Sequence, residues 1–193
     1  MTWGFGIGLG LALVFWLLTT SNPGQPLFPI LLAAVVMIAV GVCWCILVSA
    51  SATHKRRLPI VMRIAPVIVV VIVALGFTNV PMKARWLVSE PAFNAIVHEA
   101  GPPSVRPSDP VDQEEGWSSL EPCPAIIGLY RIYGCDGFPG GYLFWHRPGS
   151  GLFDDAGLAY LPSGVPDNAG TGWFESPQFT HLHGNWYAFS SSW

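Results

Sequence analysis

The first 53 residues contain no lysine, arginine, aspartate or glutamate, and this restricts the fold more than any other feature of the chain. Soluble domains carry about a quarter charged residues, so a stretch of this kind does not suit a soluble surface. A bilayer core about 30 Å thick needs about 20 apolar residues of helix to cross it. We therefore predict two spans, at residues 3–20 and 27–50, separated by the turn formers and helix breakers of residues 20–26.

A third apolar stretch, residues 58–77, contains one charge, Arg63, and one proline, Pro66. Its β-branched run would be typical of a buried strand in water, but a length of about 20 residues favours a span. Residues 1–3 lack the basic start of a signal peptide, so we expect the first span to be retained. Three transmembrane helices are therefore predicted within residues 1–80.

The densest basic cluster, His54–Arg57, lies between the second and third predicted spans. Short loops rich in lysine and arginine stay cytoplasmic, so we expect a plasma-membrane protein with a cytoplasmic amino terminus. Everything after residue 77 would then be extracytoplasmic. Lys83 and Arg85 oppose this orientation, but they are fewer than the charges of the loop.

Charge is divided unevenly along the chain. Residues 1–89 hold six basic and no acidic side chains, whereas residues 90–193 hold three basic and all twelve acidic ones. The predicted outer part is therefore acidic, which disfavours nucleic-acid binding. The partners we expect are the lipid bilayer and another membrane or cell-envelope protein.

Residues 81–116 are predicted to form a juxtamembrane helix and a linker. Ser89-Glu90-Pro91 is typical of a helix start, and Gly101 ends the helix. Residues 101–116 are proline-rich and acidic, as linkers are.

Residues 117–193 contain sixteen aromatic residues and twelve glycines, with short apolar runs bounded by turn formers. This pattern predicts a small α+β domain: an antiparallel sheet of four or five strands with one helix. The predicted strands are residues 126–133, 141–146, 157–161, 178–182 and 186–189. The expected core residues are Leu129, Tyr142, Phe144, Leu158, Tyr160, Trp186 and Phe189.

Cys123 and Cys135 are the two cysteines of this domain. An even number in an oxidising compartment favours a disulfide. However, twelve residues of continuous strand span about 40 Å, and a disulfide needs Cα atoms within about 7 Å. A bridge therefore needs either a sharp bend, for which Gly128 and Gly134 are candidates, or a strand shorter than residues 126–133, and two free buried thiols are the alternative.

The sequence offers two weak chemical constellations. His181 and His183 have a spacing compatible with a metal, which Asp154, Asp155 or His146 would complete. The alternative, which we favour, is that His181 packs on an aromatic ring and closes the last hairpin, that His183 is a turn residue, and that the acidic pair forms a turn. We expect no metal and no cofactor.

A hydrolase would use Ser150 or Ser163 as nucleophile, His181 as base and Asp154 to orient the base. Nothing in the spacing supports this, and Ser150 lies in a Pro-Gly-Ser-Gly turn. The aromatic residues could instead form a peptide or carbohydrate platform, although rings in a small sheet usually form its core. We therefore expect a membrane-anchored interaction or structural module rather than an enzyme, with a cell-surface metal-binding protein or hydrolase as the alternative.

Five segments rich in glycine and aromatic residues follow one another in the last part of the chain: Ile127–Arg131, Gly140–Phe144, residues 149–166, His181–Leu182 and Gly184–Tyr187. This succession resembles a family of actinobacterial membrane proteins of unknown activity. The family is similar in having a few spans, a Ser-Glu-Pro-Ala helix like Ser89–Ala92, and an extracytoplasmic Gly/aromatic-rich module. The resemblance covers most of residues 84–193 and implies an architecture and a plasma-membrane location, but no activity. This chain differs in carrying His183 and its two cysteines.

Overall fold

A computed structural model describes residues 2–24, 27–53, 60–101, 118–138, 140–146, 154–166 and 176–192. The described chain forms four helices, α1 (Thr2–Thr20), α2 (Leu27–Thr53), α3 (Ile60–Gly76) and α4 (Val80–Ala100). These are followed by strands β1 (Ser118–Ser119), β2 (Ile126–Ile127), β3 (Tyr130–Phe138), β4 (Gly141–His146), β5 (Asp154–Tyr160), β6 (Gln178–His183) and β7 (Trp186–Ser192). Helices followed by an antiparallel sheet make the chain α+β, as predicted.

The chain divides into two compact units. The helical unit comprises Met1–Ser21 and Leu27–Pro81, and the sheet unit comprises Asn22–Pro26 and Met82–Trp193. Apart from its first two residues, α4 belongs to the sheet unit, whereas the sequence placed this helix in a separate juxtamembrane segment. The predicted basic loop at residues 54–57 and most of the predicted linker lie outside the described residues.

In the helical unit, α1, α2 and α3 pack through a small apolar core. The core consists of Leu9, Leu13 and Ala65, with Met37, Val40, Trp44, Val69 and Ile72 packed against it. At one end of this unit, the Trp16 ring contacts Phe77 edge to face at 5.8 Å. A Cβ atom at Gly76 would fall 2.1 Å from the indole nitrogen of Trp16, so only glycine allows this packing.

By length and composition, one helix of the described residues is a clear membrane-span candidate, the segment Ile30–Ala50. Gly6–Thr20 is apolar but shorter, and Ile64–Gly76 qualifies only when it is counted with Val80–Ala100 as one interrupted span. Three clear transmembrane helices, as predicted, are therefore not found. The side-chain hydroxyls of Thr19, Thr20 and Ser21 donate to carbonyls of the preceding turn, and α1 ends there.

The sheet unit contains a seven-stranded antiparallel sheet with the order β1-β3-β4-β5-β7-β6, and β2 pairs with β3 beside this path. The sequence predicted β4 at its observed limits, and β5, β6 and β7 within a few residues. The predicted continuous strand at residues 126–133 is wrong. Gly128 has a φ of +57° and reverses the chain, so Ile127 of β2 pairs with Tyr130 of β3.

This hairpin also explains the disulfide. Cys123 and Cys135 are joined, with their Cα atoms 5.6 Å apart. The chain bends at Gly128, one of the two candidate positions for a bend, and Cys123 therefore returns beside β3.

One face of α4 packs on one face of the sheet. The helix buries Met82, Trp86, Ser89, Phe93 and Val97. The facing sheet residues are Ile127, Tyr130, Ile132, Cys135, Tyr142, Phe144, Leu158, Leu182, Trp186 and Ala188. A second cluster, Phe138, Leu143, Ala159, Leu161 and Phe189, is separate from the cluster that packs on α4.

The predicted core is confirmed for most of its members. Tyr142, Phe144, Leu158, Trp186 and Phe189 are buried, and Tyr160 is partly buried against the first cluster. The prediction that Leu129 is a core residue is wrong. Its side chain is 53% exposed because it lies in the turn of the β2–β3 hairpin.

The predicted helix start at Ser89 is also wrong, since α4 begins at Val80. The Ser89 hydroxyl donates to the carbonyl oxygen of Arg85, one turn earlier, and accepts from the backbone N–H of Leu129. The buried residues from Met82 to Val97 recur every three or four positions, so burial of this face extends the helix beyond the local start signal.

Candidate functional site

A cluster of buried and half-buried polar side chains lies under the first turns of α4. It consists of Asn22, Arg85, Ser89, Tyr130 and His146, and is called the polar cluster below. Asn22 follows α1, and Arg85 and Ser89 are one turn apart on α4. Tyr130 begins β3 and His146 ends β4, so register brings the two rings to 5.4 Å.

Arg85 connects three parts of the sheet unit. Its guanidinium carbon lies 4.2 Å from the centroid of the Tyr130 ring, a cation–π contact. One guanidinium nitrogen donates to Asn22 Oδ1 at 2.5 Å, and the other donates to the carbonyl oxygen of Leu129. The helix, the β2–β3 turn and the Asn22 turn are therefore held by one side chain.

His146 is fully buried beside this arginine. Its Nδ1 lies 2.9 Å from the carbonyl oxygen of Arg131, and its Nε2 lies 3.0 Å from Asn22 Oδ1. Burial is the main cause that lowers the pKa of His146 to about 4. The hydrogen bond with the Arg131 carbonyl raises this pKa, and the charge of Arg85 lowers it. Both ring nitrogens face oxygen atoms, so the neutral ring donates one hydrogen bond where the charged ring would donate two.

Tyr130 is the second titratable group of the polar cluster. Burial raises its pKa to about 12, although the charge of Arg85 opposes the shift. Its hydroxyl is buried and has no hydrogen-bond partner among the described residues. The phenol is therefore neutral at physiological pH.

These properties suit a structural role, in which the polar cluster holds α4, the β2–β3 turn and the Asn22 turn together, better than a catalytic one. A general base works best when its pKa is near the working pH, and His146 is far below that range. Arg85 is engaged with Asn22, Leu129 and Tyr130. The polar cluster can therefore hold its segments together, but it is poorly suited to moving protons.

The histidines predicted as metal candidates have separate partners. The His181 ring packs on Tyr187 at 5.1 Å, and its Nε2 lies 2.9 Å from the carbonyl oxygen of Gly184, so its predicted place in the last hairpin is confirmed. The prediction that His183 is a turn residue is wrong, since it is the last residue of β6 and pairs with Trp186 after a register shift. Its Nδ1 lies 2.8 Å from Glu90 of α4. The spacing alone therefore did not reveal that His183 contacts the helix.

The remaining predicted site residues are dispersed. The turn predicted for Asp154 and Asp155 is wrong, since both residues begin β5. Asp155 lies 3.3 Å from the Tyr133 hydroxyl, and Ser163 is exposed in a turn after β5. Asp154 pairs through its backbone with Ser192, but its side chain lies outside the described part, as does Ser150. Within the described residues, no three histidine, cysteine, aspartate or glutamate side chains are grouped so as to hold a metal ion.

An open hollow of about 460 Å³ lies beside the disulfide. Cys123, Cys135, Arg131, Glu121 and Asp136 contribute to its walls. The Asp136 carboxylate accepts a hydrogen bond of 2.6 Å from the Trp145 indole, which fixes one wall. The hollow is a feature of the β3 surface and does not include the polar cluster.

Comparisons of the chain with known protein families, with curated proteins and with solved structures found no match. The resemblance to actinobacterial membrane proteins therefore stays a prediction.

Sequence reasoning missed the residues that attach α4 to the sheet. Arg85 was counted only as a charge that opposes the predicted topology, and Asn22 only as a turn former. Asn94 accepts a hydrogen bond of 2.8 Å from the Trp186 indole, and Glu90 contacts His183. The helical spacing of Met82, Trp86, Ser89, Phe93 and Val97 is the signal that could have revealed the buried face between these polar residues.

Proposed function

We propose that the chain is a multi-pass membrane protein whose sheet unit is an extracytoplasmic interaction or structural module. The observation that carries this proposal is the outward surface of the helical unit. Large aliphatic side chains are exposed along all three of its helices, including Ile7, Leu11, Val14 and Leu18 of α1, Leu31, Val35, Ile38, Val42 and Ile46 of α2, and Val67, Val70, Val71 and Leu75 of α3. Monomeric soluble proteins rarely expose such continuous apolar surface, whereas lipid tails would cover it.

Helix length is compatible with three spans. α1, α2 and α3 contain 19, 27 and 17 residues. At a rise of 1.5 Å per residue they measure about 28, 40 and 26 Å, against a hydrocarbon core of about 30 Å. α2 would tilt, and local thinning of the bilayer or snorkelling of flanking residues would accommodate α1 and α3.

The orientation follows from the basic loop at residues 54–57, which favours the cytoplasm. The turn at Asn22 and the sheet unit would then lie outside the cell. The Cys123–Cys135 disulfide supports this side, because disulfides persist in oxidising compartments.

The contacts of α4 support a structural or interaction role. Arg85, Ser89, Glu90 and Asn94 all make polar contacts with strands or turns of the sheet unit. These contacts hold α4 against the sheet, as a domain with a structural or binding role requires. Trp145, Phe179 and Tyr187, half-buried rings packed on the second cluster, are the surface we expect another cell-envelope protein to contact.

Reporter fusions test the membrane proposal. Alkaline phosphatase fused after the carboxyl terminus should be active, and β-galactosidase fused there should be inactive. Fusions in the loop at residues 54–57 should give the opposite pair, and the full chain should resist extraction from membranes by alkaline carbonate. An active carboxyl-terminal β-galactosidase fusion, or release of the chain by carbonate, would overturn the proposal.

In the part of the chain that the structure describes, no contact favours the alternative of a metal-binding protein or hydrolase. His181 and His183 bind different neighbours, Gly184 and Glu90. We expect purified full-length protein to contain no stoichiometric zinc after dialysis. Retained zinc that is lost in His181→Ala would favour the alternative.

A further inference from the structure

The surface of α4 that faces away from the sheet is apolar. It consists of Ala84, Leu87, Val88, Pro91 and Ala95, and is called the outer face below. All five residues are exposed, Leu87 by 60% and Val88 by 68% of their surface. At about 100° per residue, the five side chains fall within an arc of about 100°. α4 therefore has two apolar faces, of which the sheet covers one.

As far as Ala95, the polar residues of α4 lie between these two faces, and the exposed His98 and Glu99 follow on the outer side in the last turn. Glu90 is paired with His183, and Asn94 with the Trp186 indole. Lys83 and Arg85 lie on opposite sides of the outer face, within about 60° of its edges by helical geometry. As far as Ala95, the outer face is therefore uncharged, with the exposed Lys83 at one edge and Arg85, bound within the sheet unit, at the other.

Two features connect the first turns of α4 with the ends of the proposed spans along the chain. α4 begins four residues after the end of α3. Arg85, on the second turn of α4, donates to Asn22, which lies in the turn that joins α1 to α2. If α1 and α2 are spans, Asn22 is at the membrane surface, and so are the first turns of α4.

We propose that the outer face of α4 lies in the outer leaflet, at the boundary between headgroups and acyl chains. An interfacial helix buries its apolar face about 5 to 10 Å into this boundary. Lys83, which is exposed, would extend its aliphatic stem along the lipid and place its charge among anionic headgroups. The Arg85 guanidinium stays bound to Asn22, Leu129 and Tyr130 at the other edge of the face. This proposal rests on the membrane anchoring proposed above, and it adds a lipid contact made by the sheet unit.

The β2–β3 hairpin contacts α4 at Arg85 and carries two further exposed apolar side chains. Leu129 is 53% exposed and its carbonyl oxygen is bound to Arg85, which lies on the Val88 side of the helix. Ile126, three residues earlier, is 70% exposed. Both side chains would enter the interface beside Val88.

Depth-dependent fluorescence quenching tests the proposal on the full chain in phosphatidylcholine–phosphatidylglycerol vesicles. An environment-sensitive dye is attached to a single introduced cysteine, Val88→Cys or Leu87→Cys. Both variants are made in a Cys43→Ala/Cys45→Ala background, which lacks the two native free thiols. Ser163→Cys, at an exposed turn, is the matched control. A chain labelled at native Cys43, with Cys45→Ala, reports on α2.

The dye at position 88 or 87 should be quenched by shallow doxyl-labelled lipid about threefold more than the dye at position 163, and less by aqueous iodide. Iodide quenching equal to that at position 163, with Cys43 still quenched by doxyl lipid, would overturn this inference and leave the membrane anchoring intact. Protection from both quenchers would assign the outer face to a protein partner or a second copy, and would also overturn it. Loss of doxyl quenching at Cys43 would overturn the membrane proposal and this inference together.

Discussion

Gly128 is the residue on which the β2–β3 hairpin depends. Its φ is +57°, and a Cβ atom there would lie 2.6 Å from the Ser89 Cβ and 2.8 Å from the Ser89 Cα. Gly184 has a similar φ of +55° but nothing within 4 Å of its Cβ position, which makes it a matched control. Of these two glycines, Gly128 alone combines the left-handed conformation with close helix packing.

Gly128→Ala should lower the free energy of unfolding by about 2 to 5 kcal/mol, the sum of about 1 to 2 for the left-handed conformation and about 1 to 3 for overpacking. Gly184→Ala should lose only the conformational part. Denaturant titration of the detergent-solubilised chain, followed by tryptophan fluorescence, measures both. Equal losses in the two variants would show that contact with Ser89 is unimportant.

His146 should make stability depend on pH. Its pKa is about 4 in the folded chain and about 6.5 when unfolded, so the unfolded chain binds the proton more tightly. This contribution to stability is then complete above pH 6.5, and about 3 kcal/mol of it is lost as the pH falls from 6.5 to 4. His146→Gln should remove this part of the pH dependence, and exposed His183→Gln should retain it, in thermal unfolding measured from pH 4 to 7.5. Parallel curves for the native chain and His146→Gln would contradict the assignment.

At the scale of the element, α4 is distinguished by its two apolar faces. Phe93 is fully buried and contacts the rings of Trp86, Tyr130, Phe144 and Trp186 at 5.2 to 5.8 Å. Phe93→Ala should therefore cost about 3 to 5 kcal/mol of unfolding free energy. Leu87→Ala, on the outer face of the same helix, should change it by less than about 0.5 kcal/mol in detergent. A large loss in Leu87→Ala would mean that the outer face is packed within the fold.

The elements show which signals in the sequence were sufficient. Alternating and glycine-bounded runs gave β4 correctly, because its side chains pack on both faces of the sheet and its ends coincide with glycine and histidine. The local signal at Ser89 failed, because burial of Trp86 and Phe93 on the same helix face outweighs a capping pattern. Local helix propensity depends only on neighbouring residues, so it cannot predict a contact between α4 and the distant sheet.

The polar cluster could not be predicted for the same reason. Asn22 and His146 are 124 residues apart and meet only in the folded sheet unit. Turn composition identified Asn22 as a loop residue, but not its partners. The bend at Gly128, by contrast, could be anticipated, because Cys123 and Cys135 can be bridged only if the chain reverses between them.

At the scale of the whole molecule, the four cysteines report on both units. Cys43 and Cys45 are free and exposed on α2, and Cys123 and Cys135 are bridged in the sheet unit. Since a bridge persists in an oxidising compartment and is reduced in the cytosol, its state in cells indicates the side of the membrane on which the sheet unit lies.

Full-length chain from cells quenched with an alkylating reagent should therefore gain two adducts under denaturing conditions, and two more only after reduction, in intact-mass spectra. Cys123→Ser/Cys135→Ser is the control and should show two adducts before and after reduction. The disulfide should add about 3 kcal/mol of stability by restricting the unfolded chain, so the control should also unfold at lower denaturant concentration. Four adducts before reduction would mean that the sheet unit resides in a reducing compartment, and the outward orientation would then be wrong.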